Sequence, residues 1–189
     1  APDITENIWG ESGSCAWGDA ATVIPWTVYQ FYGDKTQLEE NYENMKLWTD
    51  FIIHMDETCC GGGRLWQIGF HFADWLALDN PDKKSCFGRT DPYYVASVYY
   101  LYSALLTAKA AGVLGKTEDQ AYYEKVAEEV REAIRREYIT PAGRVAIDTQ
   151  TALVLALYFD IVPEPFIERT AKRLKEMLEE NGMHLNTGF

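Results

Sequence analysis

Hydrophobic and polar positions divide the chain into six segments of helical period and one long excursion. Residues 20–32 are apolar almost all round (Ala21, Val23, Ile24, Trp26, Val28, Tyr29, Phe31) and stop at Gly33, a pattern that predicts a buried helix. Residues 36–55 open with Thr36-Gln37-Leu38-Glu39, which has the form of a capping box. They then carry Leu38, Tyr42, Met45, Trp48 and Ile52 on one stripe, which predicts a half-exposed helix. The third segment, 92–112, has Asp91 as N-cap and Pro92 at its first position and is apolar on all sides. The fourth, 117–138, begins at a second box, Thr117-Glu118-Asp119-Gln120, and sets Tyr122, Val126, Val130 and Ile134 against a face of glutamates. The fifth, 149–159 with Asp148 as cap, is apolar; the sixth, 165–180, shows Ile167, Ala171, Leu174 and Leu178 on one stripe and ends at Asn181-Gly182.

Buried and amphipathic helices therefore alternate three times. Three helical hairpins standing side by side in two layers produce this order, because inner helices touch neighbours everywhere and outer ones along one stripe. The chain is read as all-α. Periodicity alone does not separate an arc of a closed ring from an open superhelix, although no self-similar repeat of fixed length supports the superhelix. Between the second and third helices, residues 56–90 are too long for a passive connection. Aromatic alternation around Trp66 and 70–72 is compatible with a short β-hairpin, and Asp74-Trp75 is placed to stand at a pocket rim.

Composition narrows the ligand. A net charge of −12 argues against a nucleic-acid backbone or an anionic membrane as partner, since both require clustered Lys and Arg. With 6 Trp and 12 Tyr beside many carboxylates, a neutral carbohydrate fits: indole rings stack on sugar C–H faces while carboxylates accept hydroxyl protons. The four cysteines, Cys15, Cys59, Cys60 and Cys86, follow no disulfide framework and are read as free thiols, which favours a reducing compartment such as the cytoplasm without fixing it. No apolar run approaches the roughly 18 residues of a membrane span. The first residues, Ala1-Pro2-Asp3-Ile4, lack a leader pattern, and the chain reads as excised from something longer.

Three constellations carry candidate chemistry. At Trp17-Gly18-Asp19-Ala20-Ala21, Asp19 is either an N-cap or, with Trp17, a group facing the mouth of a central cavity. At Phe72-Ala73-Asp74-Trp75, an acid and an indole adjoin in an aromatic loop; they are either a core Trp beside a solvated Asp or a sugar contact. A metal site from His54, Cys59, Cys60, His71 and Cys86 is disfavoured, because adjacent cysteines do not easily share a tetrahedral zinc and no C-x-x-C or H-x-x-x-H spacing exists. No cofactor motif is present, and neither a nucleophile elbow nor a phosphate-binding loop appears.

Trp17-Gly18-Asp19-Ala20-Ala21, Ile24-Pro25-Trp26, Tyr32-Gly33-Asp34 and Met45-Lys46-Leu47-Trp48 resemble, in order and approximate spacing, segments of family 78 bacterial α-L-rhamnosidases. So do Phe72-Ala73-Asp74-Trp75-Leu76-Ala77, Thr90-Asp91-Pro92, Asp148-Thr149-Gln150-Thr151-Ala152 and His184-Leu185-Asn186-Thr187-Gly188-Phe189. The resemblance covers essentially the whole chain. It implies part, about half, of an (α/α)6 toroid, with residues 1–189 as a partial catalytic domain truncated at both ends. It further implies hydrolysis of terminal α-L-rhamnose from glycosides with inversion. In that family the acid lies in an Arg-Asp-Glu-Arg-type motif before the Trp-Gly-Asp segment, and the base is a Glu after the His-Leu-x-Thr-Gly-Phe segment. Neither motif occurs here, so the catalytic acid and base are expected outside this chain and the chain alone is expected to be inactive. Trp17 and Trp75 resemble the aromatic walls of the rhamnose subsite, and Asp19 and Asp74 their neighbouring carboxylates. Ala73 departs from the Gly usual before Asp-Trp. Partners implied are a rhamnose-containing glycoside and, through the apolar seam that half a ring exposes, a second copy of the chain. A non-catalytic sugar-binding or scaffold protein of the same fold is the alternative.

Overall fold

The computed structural model describes residues 13–82 and 84–188. The Ala1-Pro2-Asp3-Ile4 segment and Phe189, the last residue of the His184 segment, lie outside the described residues. Among the described residues there are six α-helices, α1 (Ala20–Tyr32), α2 (Thr36–Cys59), α3 (Pro92–Val113), α4 (Thr117–Tyr138), α5 (Gln150–Tyr158) and α6 (Ile167–Glu180), with a short 3-10 turn, Glu164–Phe166, leading into α6. They pair as hairpins α1/α2, α3/α4 and α5/α6, and the first member of each pair forms an inner layer in which α3 touches both α1 and α5.

Helix α3 holds the centre because its sequence leaves it no polar face. Tyr94, Val98, Leu101 and Leu106 are buried together with Ala96, Ala104, Ala108 and Ala111, whose small side chains let neighbouring helices approach. Its start is fixed as the sequence suggests: the Asp91 carboxylate accepts the N–H groups of Tyr93 and Tyr94, both at 2.9 Å, and Pro92 occupies the first turn. Outside it, α4 buries Tyr123, Val126, Val130 and Ile134. Helices α2 and α4 are joined across the outer layer by Tyr42 Oη donating to Asp119 and Tyr123 Oη donating to Asp50, at 2.7 and 2.5 Å.

Several expectations are corrected by the packing. Helix α1 is not buried all round: only Thr22 and Pro25 are buried, while Ile24, Phe31 and Tyr32 are 59, 81 and 79 % exposed. It has α2 on one side and α3 on another, and no third helix covers its apolar remainder among the described residues. Neither capping box forms, since Thr36 and Thr117 are already helical and Asp34 accepts the Thr36 N–H instead. Asp148 does not cap α5; Thr149 does, accepting the Ala152 N–H, while Asp148 pairs with Arg173 at 2.8 Å. No strand forms around Trp66 or 70–72. Among the described residues the loop carries one antiparallel bridge, Trp75 with Phe87, and Trp66 is buried in the core against Trp48, Phe51 and His71.

Candidate functional site

Helices α3 and α5 begin side by side, with α1 beginning against the middle of α3, where the Thr22 and Ser103 hydroxyls lie 3.0 Å apart; the aromatic loop links these entries. Asp74 is the junction. Its Oδ1 accepts the Gly188 N–H at 2.7 Å and its Oδ2 accepts the Thr90 hydroxyl at 2.8 Å, while the Thr90 and Thr149 hydroxyls lie 2.8 Å apart. One carboxylate therefore joins the aromatic loop, the entry to α3, the entry to α5 and the C-terminal segment. That last segment is held further by Gln150, whose side chain accepts from Asn186 N and donates to the His184 carbonyl. Gly188 has to be a glycine: a Cβ there would stand 2.3 Å from the Trp75 carbonyl oxygen.

Asp19 sits deeper. Its backbone is helical and its side chain caps nothing; it turns inward, fully buried. There it accepts the Trp48 indole N–H at 2.8 Å, the Ser103 hydroxyl at 2.5 Å and the Ala16 N–H at 2.8 Å. Burial pushes its pKa up to about 6, and the three donors keep it from rising further. Gly18 explains how this is reached, because a Cβ on it would lie 2.1 Å from the Trp48 ring. The tryptophan of the Met45-Lys46-Leu47-Trp48 segment thus packs against the Trp-Gly-Asp turn and donates its indole N–H to the acid.

The two candidate tryptophans come together through Phe72. Trp17 is 50 % exposed and its ring centroid is 5.0 Å from that of Phe72, which is 5.2 Å from Trp75. Trp75 in turn meets Phe87 edge-on at 5.2 Å. The structure thus brings the exposed Trp17 and the half-buried Trp75 into one aromatic wall and leaves Asp19 and Asp74 beside it, buried and bonded to protein groups.

His71 emerges as an organising residue that sequence reasoning considered only as a metal ligand. Its Nδ1 accepts the Cys15 N–H at 3.1 Å, so the proton is on Nε2, which donates to the Ile68 carbonyl at 3.0 Å. With both nitrogens used, the ring fastens the aromatic loop to the turn before α1. Burial lowers its pKa to about 4. Among the described residues no group of three or more His, Cys, Asp and Glu side chains is placed to hold a metal ion. Ala73 takes a left-handed backbone, φ +49°, which explains why a glycine is at home before Asp-Trp and what this chain tolerates in its place.

A double layer of paired helices with its loops gathered at the inner-helix entries is the build of the six-hairpin glycosidases. Within that class, the chain belongs to the family of bacterial alpha-L-rhamnosidase 6 hairpin glycosidase domains, whose model matches residues 1–189. It is 37% identical over 198 residues to an alpha-L-rhamnosidase of Formosa agariphila, covering 100% of this chain and 19% of that protein. An alpha-L-rhamnosidase of Streptomyces avermitilis is 32% identical over 94% of this chain and 16% of its own length. Among solved structures, the native rhamnosidase from Aspergillus terreus superimposes with a TM-score of 0.85 at 34% identity, covering 95% of this chain and 20% of that one. The Streptomyces avermitilis enzyme complexed with L-rhamnose gives a TM-score of 0.77 at 31% identity, over 91% of this chain and 15% of that one. The chain spans 16–19% of the length of the relatives named.

Proposed function

We propose that this chain supplies one wall of the sugar subsite of a glycoside hydrolase that removes terminal α-L-rhamnose with inversion. The observation that carries the reading is the joining of the exposed Trp17 and the half-buried Trp75 through Phe72 into one aromatic wall beside two buried carboxylates. Indole faces stack on the apolar face of a deoxy sugar, whose methyl group favours such contact. Asp19 and Asp74 serve as positioning residues: Asp19 holds Trp48 and the Trp17 turn, and Asp74 holds the Trp75 loop.

Inversion requires an acid and a base roughly 6.5–9.5 Å apart across the glycosidic bond. Asp19 and Asp74 are engaged by protein donors and buried, so neither suits proton delivery to a bound glycoside. On the resemblance to the family, whose acid and base motifs do not occur here, the acid and base belong to segments beyond these 189 residues, and the isolated chain binds sugar without cleaving it. The non-catalytic sugar-binding alternative has the same wall, and the two readings part on the parent protein's turnover.

The test is a titration of the chain with L-rhamnose followed by protein NMR, alongside turnover of 4-nitrophenyl α-L-rhamnoside. Saturable shifts at the Trp17 and Trp75 indoles, lost in Trp17→Ala and Trp75→Ala, are expected, with no turnover. Hydrolysis at the rate of a full-length relative would overturn the assignment of the carboxylates, and rhamnose shifts elsewhere would overturn the wall.

A further inference from the structure

The two tryptophans stand on separate stretches of chain, and a pair of hydrogen bonds clasps those stretches to each other. Cys15 N–H donates to His71 Nδ1 at 3.1 Å, and Phe72 N–H donates back to Ser14 Oγ at 3.1 Å. The bonds span 56 and 58 residues of sequence and run in opposite directions. Ser14, Cys15 and His71 are all buried, so water does not reach in to replace a bond that is lost. The Cys15 thiol also faces the Ala73 N–H, so that residues 71, 72 and 73 of the aromatic loop each meet the turn before α1.

Trp17 hangs on this clasp by a short path. Gly18 N–H donates to the Ser14 carbonyl at 3.0 Å and Ala16 N–H to Asp19 at 2.8 Å, which closes the turn around Trp17 with Ala16 left-handed at φ +69°. A shift of Ser14 or Cys15 therefore shifts the Trp17 ring. On the other side Phe72, itself a donor in the clasp, lies between Trp17 and Trp75 at 5.0 and 5.2 Å. Asp19 ties the turn to Trp48 of α2 and Ser103 of α3, and Asp74 ties the loop to Thr90 and Gly188. Those bonds anchor each half of the wall separately, whereas the clasp sets one half against the other. The neutral imidazole suits the task, because its Nε2 proton is taken by the Ile68 carbonyl and its Nδ1 lone pair is left for Cys15. The Trp66 and Tyr93 rings, edge-on to His71 at 4.5 and 6.0 Å, hold its plane.

We propose that His71 and Ser14 are positioning residues of the sugar site: their clasp sets the placing of Trp17 against Trp75 on which rhamnose affinity depends. The inference rests on the rhamnose reading of that wall. Two variants of His71 separate positioning from bulk stability. His71→Asn puts an amide oxygen near the place of Nδ1 and keeps the acceptor for Cys15, while His71→Gln puts an amide nitrogen near the place of Nε2 and keeps the donor for Ile68. Each gives up one buried bond, so both should lower thermal stability to a similar extent. L-Rhamnose titrations of the chain followed by NMR should part them. His71→Gln should bind about tenfold more weakly than the parent, as the loss of one buried bond implies, and His71→Asn should stay within about threefold of it. Ser14→Ala should also weaken binding, severalfold. In the sugar-free chain, nuclear Overhauser contacts between the Trp17 and Phe72 rings should persist in His71→Asn and fade in His71→Gln. Equal affinities for the two His71 variants, or ring contacts that survive in His71→Gln, would overturn the clasp while leaving the rhamnose wall intact. Absence of rhamnose shifts in the parent chain would overturn the wall and with it the role of the clasp in binding, whatever the ring contacts show.

Discussion

Asp74 Oδ1 and the Gly188 N–H are 2.7 Å apart across 114 residues of chain. That single hydrogen bond draws the C-terminal segment onto the aromatic loop, and Thr90 on the other oxygen draws in the helix entries. Asp74→Ala leaves the Gly188 donor and the Thr90 hydroxyl without their acceptor in a buried place, at a cost of about 2–4 kcal/mol. Asp74→Asn, which retains one carbonyl oxygen, is expected to cost less than half of that. Urea unfolding of the two variants checks the order, and equal losses would show that the carboxylate's shape matters more than its acceptors.

Stability against pH should show two buried groups working in opposite directions. Asp19 has its pKa raised from 3.8 to about 6, so it favours the fold most below 3.8 and loses that stabilisation as pH rises through 6. His71 has its pKa lowered from 6.5 to about 4, so its contribution is present above 6.5 and lost as pH falls through 4. Each shift corresponds to about 3 kcal/mol, and the two windows overlap and largely cancel. Single substitutions unmask them: relative to the parent, Asp19→Asn should grow more stable from pH 4 to 6.5 and His71→Gln less so. Parallel pH profiles for all three proteins would contradict both assignments.

Two backbone positions give opposite outcomes for a single methyl group. Gly18→Ala drives a Cβ into the Trp48 ring, 2.1 Å away, and should cost about 1–3 kcal/mol and blue-shift or broaden Trp emission. Ala73→Gly relieves a left-handed residue and should add about 1 kcal/mol of stability. Thermal melts of both variants check the signs.

The open face of α1 predicts association. Ile24, Phe31 and Tyr32 are largely exposed on one helix, and an apolar surface of this kind in a free chain finds another copy. Light scattering at rising concentration should show a growing mean mass, and Phe31→Glu with Ile24→Lys should reduce it. A constant monomer mass for the unsubstituted chain would remove the proposal.

The sequence by itself determined the all-α class, the six helices and their order of hairpins, because apolar period and terminal residues such as Pro92 and Gly33 act locally. It also marked Trp17, Asp19, Asp74 and Trp75, which stand in short, recognisable segments. Their division of labour was decided by the tertiary structure. Whether a carboxylate faces solvent or Trp48 and Ser103 depends on helices joined only in the fold, and no spacing along the chain encodes the bond from Asp74 to Gly188. For the same reason His71 was legible only as a member of a disfavoured metal site, its partners Cys15 and Ile68 being set by loop packing. The exposure of α1 likewise follows from which neighbours it has, since an apolar helix states what it can bury and the presence of a partner settles what it does bury.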